Sequence, residues 1–335
     1  MVEATTLSVG IPAYNQARYL GETIESLLAQ TRMPLEIVVS DHDSTDGTAE
    51  IVARYAREYP GLVLGVRPPQ GTNLTGQYNF TLGSLRGDWV TLLSSDDVAR
   101  PEFCEVLLRG AERTAGAVLV RAGWEQIDES GTVLNQNYLL SVPRVERPPA
   151  TLLAQKHGPK VNFAAFAVKR EAFERSGPID GRLRSLADWA LFLQVAPLGE
   201  FVYEHALIAG YRVGHDGNKF RERLGMWVED QQRIFAEVMP LAARRAGMTD
   251  TRWIGEASRY NFLRYLAKAC EEFGLEERAG LVPVFAGWAE AVGEGGALRR
   301  FAVGKRIATP IPFSRRMKTR LRPLLQRVLG GLRRG

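Results

Sequence analysis

Cysteine is almost missing. Cys104 and Cys270 are the two in 335 residues, and no CxxC pair occurs. That excludes a disulfide scaffold and a cysteine-built zinc site, and it suits a reducing compartment. Long apolar runs are missing as well. None reaches the roughly 18 residues of a membrane span, and the stretch Leu281 to Ala289 is both short and interrupted by Pro283. Met1-Val2-Glu3 carries neither a basic n-region nor an apolar core, so no secretory signal is expected. The four histidines have no zinc-ligand spacing. No G-x-G-x-x-G follows the first predicted strand, which argues against a dinucleotide oxidoreductase. The absence of G-x-x-x-x-G-K-[ST] and of G-x-S-x-G argues in the same way against a P-loop NTPase and an α/β-hydrolase. There is no internal repeat and no low-complexity segment.

What remains is an ordinary globular composition, 45% hydrophobic and 24% charged. The length suits two domains, or one large domain with an addition. The net charge of +5 is unevenly distributed. Twelve basic residues and no acidic one fall between Gly295 and Gly335, leaving 31 basic against 38 acidic residues before them. An acidic body thus carries a basic tail.

The first hundred residues alternate between two periodicities. Leu7-Val9-Ile11, Leu35 to Val39, Leu62 to Val66 and Trp89 to Leu93 read as strands. Between them lie helical patterns at Leu20 to Leu28, Ile51 to Tyr55 and Gln77 to Leu85. This β-α-β-α-β-α-β order predicts a mostly parallel sheet with helices on both faces. Such sheets bind ligands beyond the carboxyl ends of their strands. Further on, the spacing predicts a helix over 101–113, a hairpin over 118–134, a proline-rich loop over 143–149 and a strand over 163–168. A helix over 188–195 and a strand over 207–213 follow, and then helices from about 224 to 292.

Two strand ends carry the chemistry. After the second strand stands Ser40-Asp41-His42-Asp43-Ser44-Thr45-Asp46-Gly47-Thr48. An aspartate there can accept a base imide N–H or contact a ribose, while Asp43, Ser44 and Asp46 suit helix capping. After the fourth strand stands Ser94-Ser95-Asp96-Asp97. Adjacent carboxylates repel unless a cation or donor network lies between them. Mg²⁺ takes one or two carboxylates together with substrate phosphates. The pair therefore predicts a divalent-metal and diphosphate site.

Together with Pro12-Ala13-Tyr14-Asn15, these elements resemble the family 2 glycosyltransferases of GT-A fold. The likeness continues through Lys169-Arg170-Glu171, Gly177-Pro178-Ile179-Asp180, Ala187-Asp188-Trp189 and Tyr211-Arg212-Val213, and so covers about residues 5 to 220. It implies an α/β GT-A domain over 1–222, and the residue pattern beyond it gives a helical C-terminal region over 223–300 and a basic amphipathic tail over 301–335. It also implies inverting transfer of a sugar from a nucleotide-diphosphate donor to a glycan or lipid-linked acceptor, in cell-surface polysaccharide or glycolipid synthesis. Pro12, Tyr14 and Asn15 would line the nucleotide pocket, Asp41 would contact the base, and Asn79 would face the donor. Asp96 would approach ribose or metal, Asp97 would hold Mg²⁺ or Mn²⁺, Arg212 would lie near the diphosphate, and Asp188 would be the catalytic base.

The chain also departs from the family pattern. His42 and Ser94 stand where many members have carboxylates, and Gly214 stands where many have a histidine, with His215 one residue later. These departures keep open an inactive nucleotide-sugar-binding protein, and the same sheet and carboxylates would also serve a nucleotidyltransferase. Asp188 would alternatively cap the helix that follows it. Trp124, Trp189 and Trp227 are candidate sugar platforms, although core packing is the commoner role of such aromatics. In the tail, Met317, Leu321, Leu324, Leu325, Val328 and Leu329 fall near helical spacing among arginines and Lys318. That pattern suits an anionic membrane surface, and no nucleic-acid module accompanies it. The expected location is cytoplasmic, peripheral on the inner face of the membrane.

Overall fold

The computed structural model describes residues 4–138, 140–159, 162–214, 219–305 and 307. Four strands open the chain: β1 (Leu7–Ala13), β2 (Glu36–Asp41), β3 (Val63–Val66) and β4 (Trp89–Leu92). They pair in parallel in the order β3-β2-β1-β4, joined by α1 (Leu20–Leu28), α2 (Thr48–Glu58) and α3 (Leu74–Gly83). All six residues of β2, and all of β1 but Pro12, are buried. In β1 the small Ser8 and Gly10 alternate with Leu7, Val9 and Ile11, and in β2 the apolar run is Ile37-Val38-Val39, flanked by the buried polar residues Glu36, Ser40 and Asp41. On α1 the buried face is Leu20, Thr23, Ile24 and Leu27, at helical spacing. A β-carbon on Gly10 would lie 2.6 Å from Thr81 Cγ2, so glycine lets α3 pack directly on β1.

The sheet continues β4-β9-β6-β10-β5. The elements are β5 (Val98–Ala99), α4 (Phe103–Glu112), β6 (Ala117–Ile127), β7 (Val133–Asn137), β8 (Arg144–Glu146), α5 (Ala150–Leu153), β9 (Phe166–Lys169), α6 (Arg170–Ser176), α7 (Ala187–Val195) and β10 (Glu200–Arg212). Strand β9 is antiparallel to both β4 and β6, while β6 and β10 run parallel. Two elements differ from the sequence expectation. Strand β10 begins at Glu200, well before Leu207, because Glu204 is a buried carboxylate neutralised by Arg109 and Arg113 at 3.4 and 3.0 Å. The proline-rich loop contains β8, whose Val145 pairs with Val202 on β10.

After β10 comes α8 (Lys219–Arg233), then a π-helical turn at Ile234–Val238, then α9 (Met239–Arg245). Pro240 has no backbone N–H to give to this stretch, a common origin of such irregular turns. The chain divides into two compact units, Met1–Ile254 and Gly255–Gly335, so α8 and α9 fall with the sheet. The remaining helices are α10 (Arg252–Glu272), α11 (Leu275–Ala291) and α12 (Gly295–Ala302). Within the second unit, Phe262, Phe285, Trp288 and Phe301 are buried against one another, and Trp288 Nε1 donates to Ser258 Oγ at 2.9 Å. Among the described residues no helix is long and apolar enough to cross a membrane. Most of the predicted basic tail (residues 306 and 308–335) and His215 lie outside the described residues.

Candidate active site

The loops after β1 and β2 are fastened to each other by polar side chains. Asn15, with φ of 50°, gives its N–H to Ser44 Oγ and accepts the Thr45 N–H at Oδ1, both at 2.9 Å. Asp46 accepts from Ala17 N at 2.9 Å and from Thr48 Oγ1 at 2.6 Å. Asp41 is 6% exposed and accepts the Ser44 hydroxyl at 2.5 Å. Pro12 is partly buried near the end of β1, and Tyr14 is exposed with its ring 6.0 Å from that of His42. Asp41 lines a cavity of about 350 Å³ with residues of α2 and with Val66 and Arg67 at the end of β3. Arg67, which also pairs with Asp43 at 3.5 Å, lines this cavity and was not among the residues expected from the sequence. One arginine after a short strand carries no pattern that could have marked it.

The turn after β4 is built inward. Asp97 is fully buried and accepts the Arg212 backbone N–H at 2.9 Å through Oδ1. Its Oδ2 is buried with no donor in good hydrogen-bond geometry, and the Ser94 side chain is a nearby group that favours its charged form. Burial, and then the neighbouring Asp96, push the Asp97 carboxyl well above the ordinary aspartate range, with the Arg212 amide opposing them. Asp96 is partly exposed. Thr23 Oγ1 donates to the Asp97 carbonyl at 2.8 Å and so ties the turn to α1.

Arg212 and Asn79 do different work from that expected. The Arg212 side chain is 1% exposed. It donates from Nε to the Asp96 carbonyl, from Nη1 to the carbonyls of Asp128 and Glu129, and from Nη2 to Glu22, at 2.7–3.0 Å. Four of its five N–H donors are therefore engaged inside the protein, and its guanidinium also lies 4.6 Å from the centre of the Tyr19 ring. It braces the Asp96–Asp97 turn and is not turned out toward a diphosphate. Asn79 exchanges two hydrogen bonds with the backbone of Ile179, at 2.8 and 2.9 Å, and clamps α3 to the loop before α7.

Asp188 stands in the first turn of α7, where its Oδ1 accepts the Trp189 N–H at 2.7 Å. It lines a second cavity, of about 260 Å³, with Ser94, Tyr78, Phe163, Tyr211 and Trp227. Arg184 and Arg223 also reach this cavity. Burial is the main cause that raises the Asp188 carboxyl to about 6; the Trp189 amide opposes it and the charge of Asp230 adds to it. Burial also holds the Tyr78 hydroxyl well above its ordinary value, and the next causes are the charges of Asp188 and Asp96. Ser94 of the β4 turn lines the same cavity as Asp188 and Tyr78, which brings that turn and the α7 aspartate to a common site. Of the three candidate platforms Trp227 alone lines this cavity. Trp189 is fully buried, donates to the Gln155 carbonyl and packs edge-on against Phe235. Trp124 is packed against the core.

A divalent ion fits this donor set sparingly. Among the described residues no group of three or more His, Cys, Asp or Glu side chains could hold one. Asp97 nevertheless offers a buried carboxylate oxygen without a well-aligned donor, beside a partly exposed Asp96. One or two carboxylates suffice when substrate phosphates complete the shell.

The sequence profile of Glycosyl transferase family 2 matches residues 8–177. A hyaluronan synthase of Pasteurella multocida is 24% identical over 243 residues, which is 72% of this chain and 24% of the synthase. An uncharacterized glycosyltransferase of Nostoc is 29% identical over 217 residues, covering 63% of this chain and 66% of that protein. The chain therefore spans about a quarter of the first relative's length and just under two thirds of the second's. Among solved structures, S. aureus TarS 1-349 in complex with UDP superposes with a TM-score of 0.64 at 16% identity, over 90% of this chain and 88% of that one. GalNAc-T7 with UDP, GalNAc and Mn²⁺ gives a TM-score of 0.53 at 15% identity, over 76% and 57% of the two chains. At these identities the likeness is one of fold.

Proposed function

Because the chain belongs to glycosyl transferase family 2, we propose that it transfers a sugar, with inversion, from a nucleotide-diphosphate donor to an acceptor hydroxyl. Asp188 is the general base of this reading. The observation that carries it is the shared pocket, lined by Asp188 of α7, Ser94 of the β4 turn and Tyr78 of α3. The acceptor oxygen loses its proton to the Asp188 carboxylate as it bonds to the anomeric carbon. The bond from that carbon to the diphosphate oxygen breaks on the opposite face, and the nucleoside diphosphate leaves with the electron pair. A base near pH 6 is ionised at neutral pH and still strong enough to accept the proton.

Asp97, with Asp96 beside it, is the proposed holder of Mg²⁺ or Mn²⁺; when bound, such an ion neutralises charge on the diphosphate. Asp41, Pro12, Tyr14 and Arg67 form the proposed nucleotide side. UDP complexes of proteins with the same fold favour a uridine donor. Polysaccharide synthases among the relatives favour a glycan acceptor, with surface-polysaccharide synthesis as the setting.

Asp188→Asn tests the assignment. UDP affinity, measured by calorimetry with Mn²⁺ present, is expected to stay within about twofold. Transfer from a panel of UDP-sugars is expected to fall by about 10²–10⁴-fold, the usual worth of a positioned base. Transfer near the parent rate would remove Asp188 from that role.

A further inference from the structure

Helix α7 begins without an N-cap side chain: Leu186 stands at that position and has no oxygen to receive the free amides. The amides leading into the helix are received from a distant element. Asp230 of α8, 1% exposed, accepts the N–H of Ser185 at 2.6 Å and those of Arg184 and Leu186 at 3.0 Å, all through Oδ2. Its Oδ1 accepts the Arg184 N–H again at 3.2 Å. A single carboxylate thus gathers three consecutive amides, and the last of them lies two residues before Asp188. Arg223, Trp227 and Asp230 follow one another at i, i+4 and i+7, and so share one face of α8. The first two line the cavity that holds Asp188.

We propose that Asp230 is a positioning residue for the transfer reaction: it fixes the backbone of residues 184–186 and thereby aims Asp188 into the cavity that α8 walls. The proposal rests on the reading of Asp188 as the base. Removing the carboxylate would leave three amides at the start of a buried helix without their acceptor, and the turn carrying Asp188 would loosen. The charge of Asp230 also reaches Asp188, adding to the burial that raises its carboxyl. The other charged or titratable groups at this cavity are Tyr78 of α3, Tyr211 of β10, Arg184 of the loop and Arg223 of α8, with Asp96 acting on Tyr78. All of them remain in an Asp230 variant, so a change in Asp188 there reports Asp230.

The test compares Asp230→Asn and Asp230→Ala in the full chain. Asparagine keeps an acceptor oxygen and removes the charge; alanine removes both. Carboxyl ¹³C resonances of labelled aspartate, with Asp188 assigned by its loss in Asp188→Asn, are expected to titrate near pH 6 in the parent. The midpoint should shift downward in Asp230→Asn. Amide exchange at Ser185 and Leu186 is expected to accelerate in Asp230→Ala and much less in Asp230→Asn. With UDP-GlcNAc and Mn²⁺ as the probe, UDP release should fall by about 10²-fold in Asp230→Ala, as for a misplaced reacting group, with UDP affinity unchanged. Unchanged amide exchange at Ser185 and Leu186 in folded Asp230→Ala would overturn the proposal. So would turnover and UDP affinity falling together. A parent that turns over no nucleotide sugar would count against the base assignment alone, and the carboxyl and exchange measurements would still decide the role of Asp230.

Discussion

At the scale of single residues, the site holds charge where charge is unfavourable. Asp188 has its carboxyl raised from 3.8 to about 6, chiefly by burial. The folded form therefore binds its proton more tightly than the unfolded chain does, and stability falls as pH rises from about 4 to about 6. Below that window both forms are protonated and there is no penalty. Above it the penalty is complete, and a shift of about two units corresponds to about 3 kcal/mol. An asparagine in place of Asp188 would mimic the protonated side chain without the penalty. Asp188→Asn is thus expected to be more stable than the parent at pH 8, by about 1–3 kcal/mol in urea unfolding, and equal to it near pH 4. A variant destabilised at pH 8 would show that the carboxylate is better accommodated than its burial indicates. The parent's transfer rate should show the matching acid limb, falling below pH 6 as the base becomes protonated. Activity and stability then pull in opposite directions at one side chain. The buried Asp97 oxygen without a well-aligned donor and the adjacent Asp96 repeat the pattern.

At the scale of elements, α3 is the strut of the site. Its Gln77 side chain donates to the carbonyls of Ala13 and Ser40, at the ends of β1 and β2. Its N-cap Asn73 reaches the Gly181 carbonyl at 2.6 Å, Thr75 reaches that of Leu183, and Asn79 holds Ile179. Tyr78, between these ties, lines the cavity with Asp188. Asn79→Ala would leave a carbonyl and an N–H of Ile179 without partners, at about 1–3 kcal/mol. Stability in urea is expected to fall by that amount while UDP affinity stays within about twofold. A loss of affinity larger than the loss of stability would return Asn79 to the donor.

This element also shows what a single sequence can and cannot reveal. The parallel β1–β4 array was legible because short apolar strand patterns alternate with helical ones along the first hundred residues. The two acidic loops were legible because they follow such strands. The partners of Asn79 and Arg212 were not, because a side chain's hydrogen bonds depend on segments 83 to 190 residues away in the chain. Asp230 was invisible for the same reason, since its helix reads as an ordinary amphipathic one.

At the scale of the whole molecule, charge is segregated along the chain, with 12 basic residues and no acidic one from Gly295 onward. An acidic enzyme body is repelled by an anionic lipid surface, whereas each Lys or Arg near such a surface contributes about 1 kcal/mol of attraction. Apolar residues at helical spacing among the tail arginines would add burial at the headgroup boundary, so the two terms act together. A lipid-linked acceptor, one of the two that the family likeness implies, would give a transferase a reason to remain at that surface. The full chain is therefore expected to sediment with vesicles containing anionic lipid and not with purely zwitterionic ones. Binding should weaken as salt rises, since the Debye length shortens from about 10 Å at 0.1 M to about 3 Å at 1 M. Deletion of residues 313–335 is expected to abolish co-sedimentation while leaving UDP affinity unchanged, because the residues proposed for the nucleotide and its metal, Pro12 to Asp97, all lie far before the deleted segment. Equal sedimentation of the shortened chain would move the contact to another surface and leave the basic segment without this role.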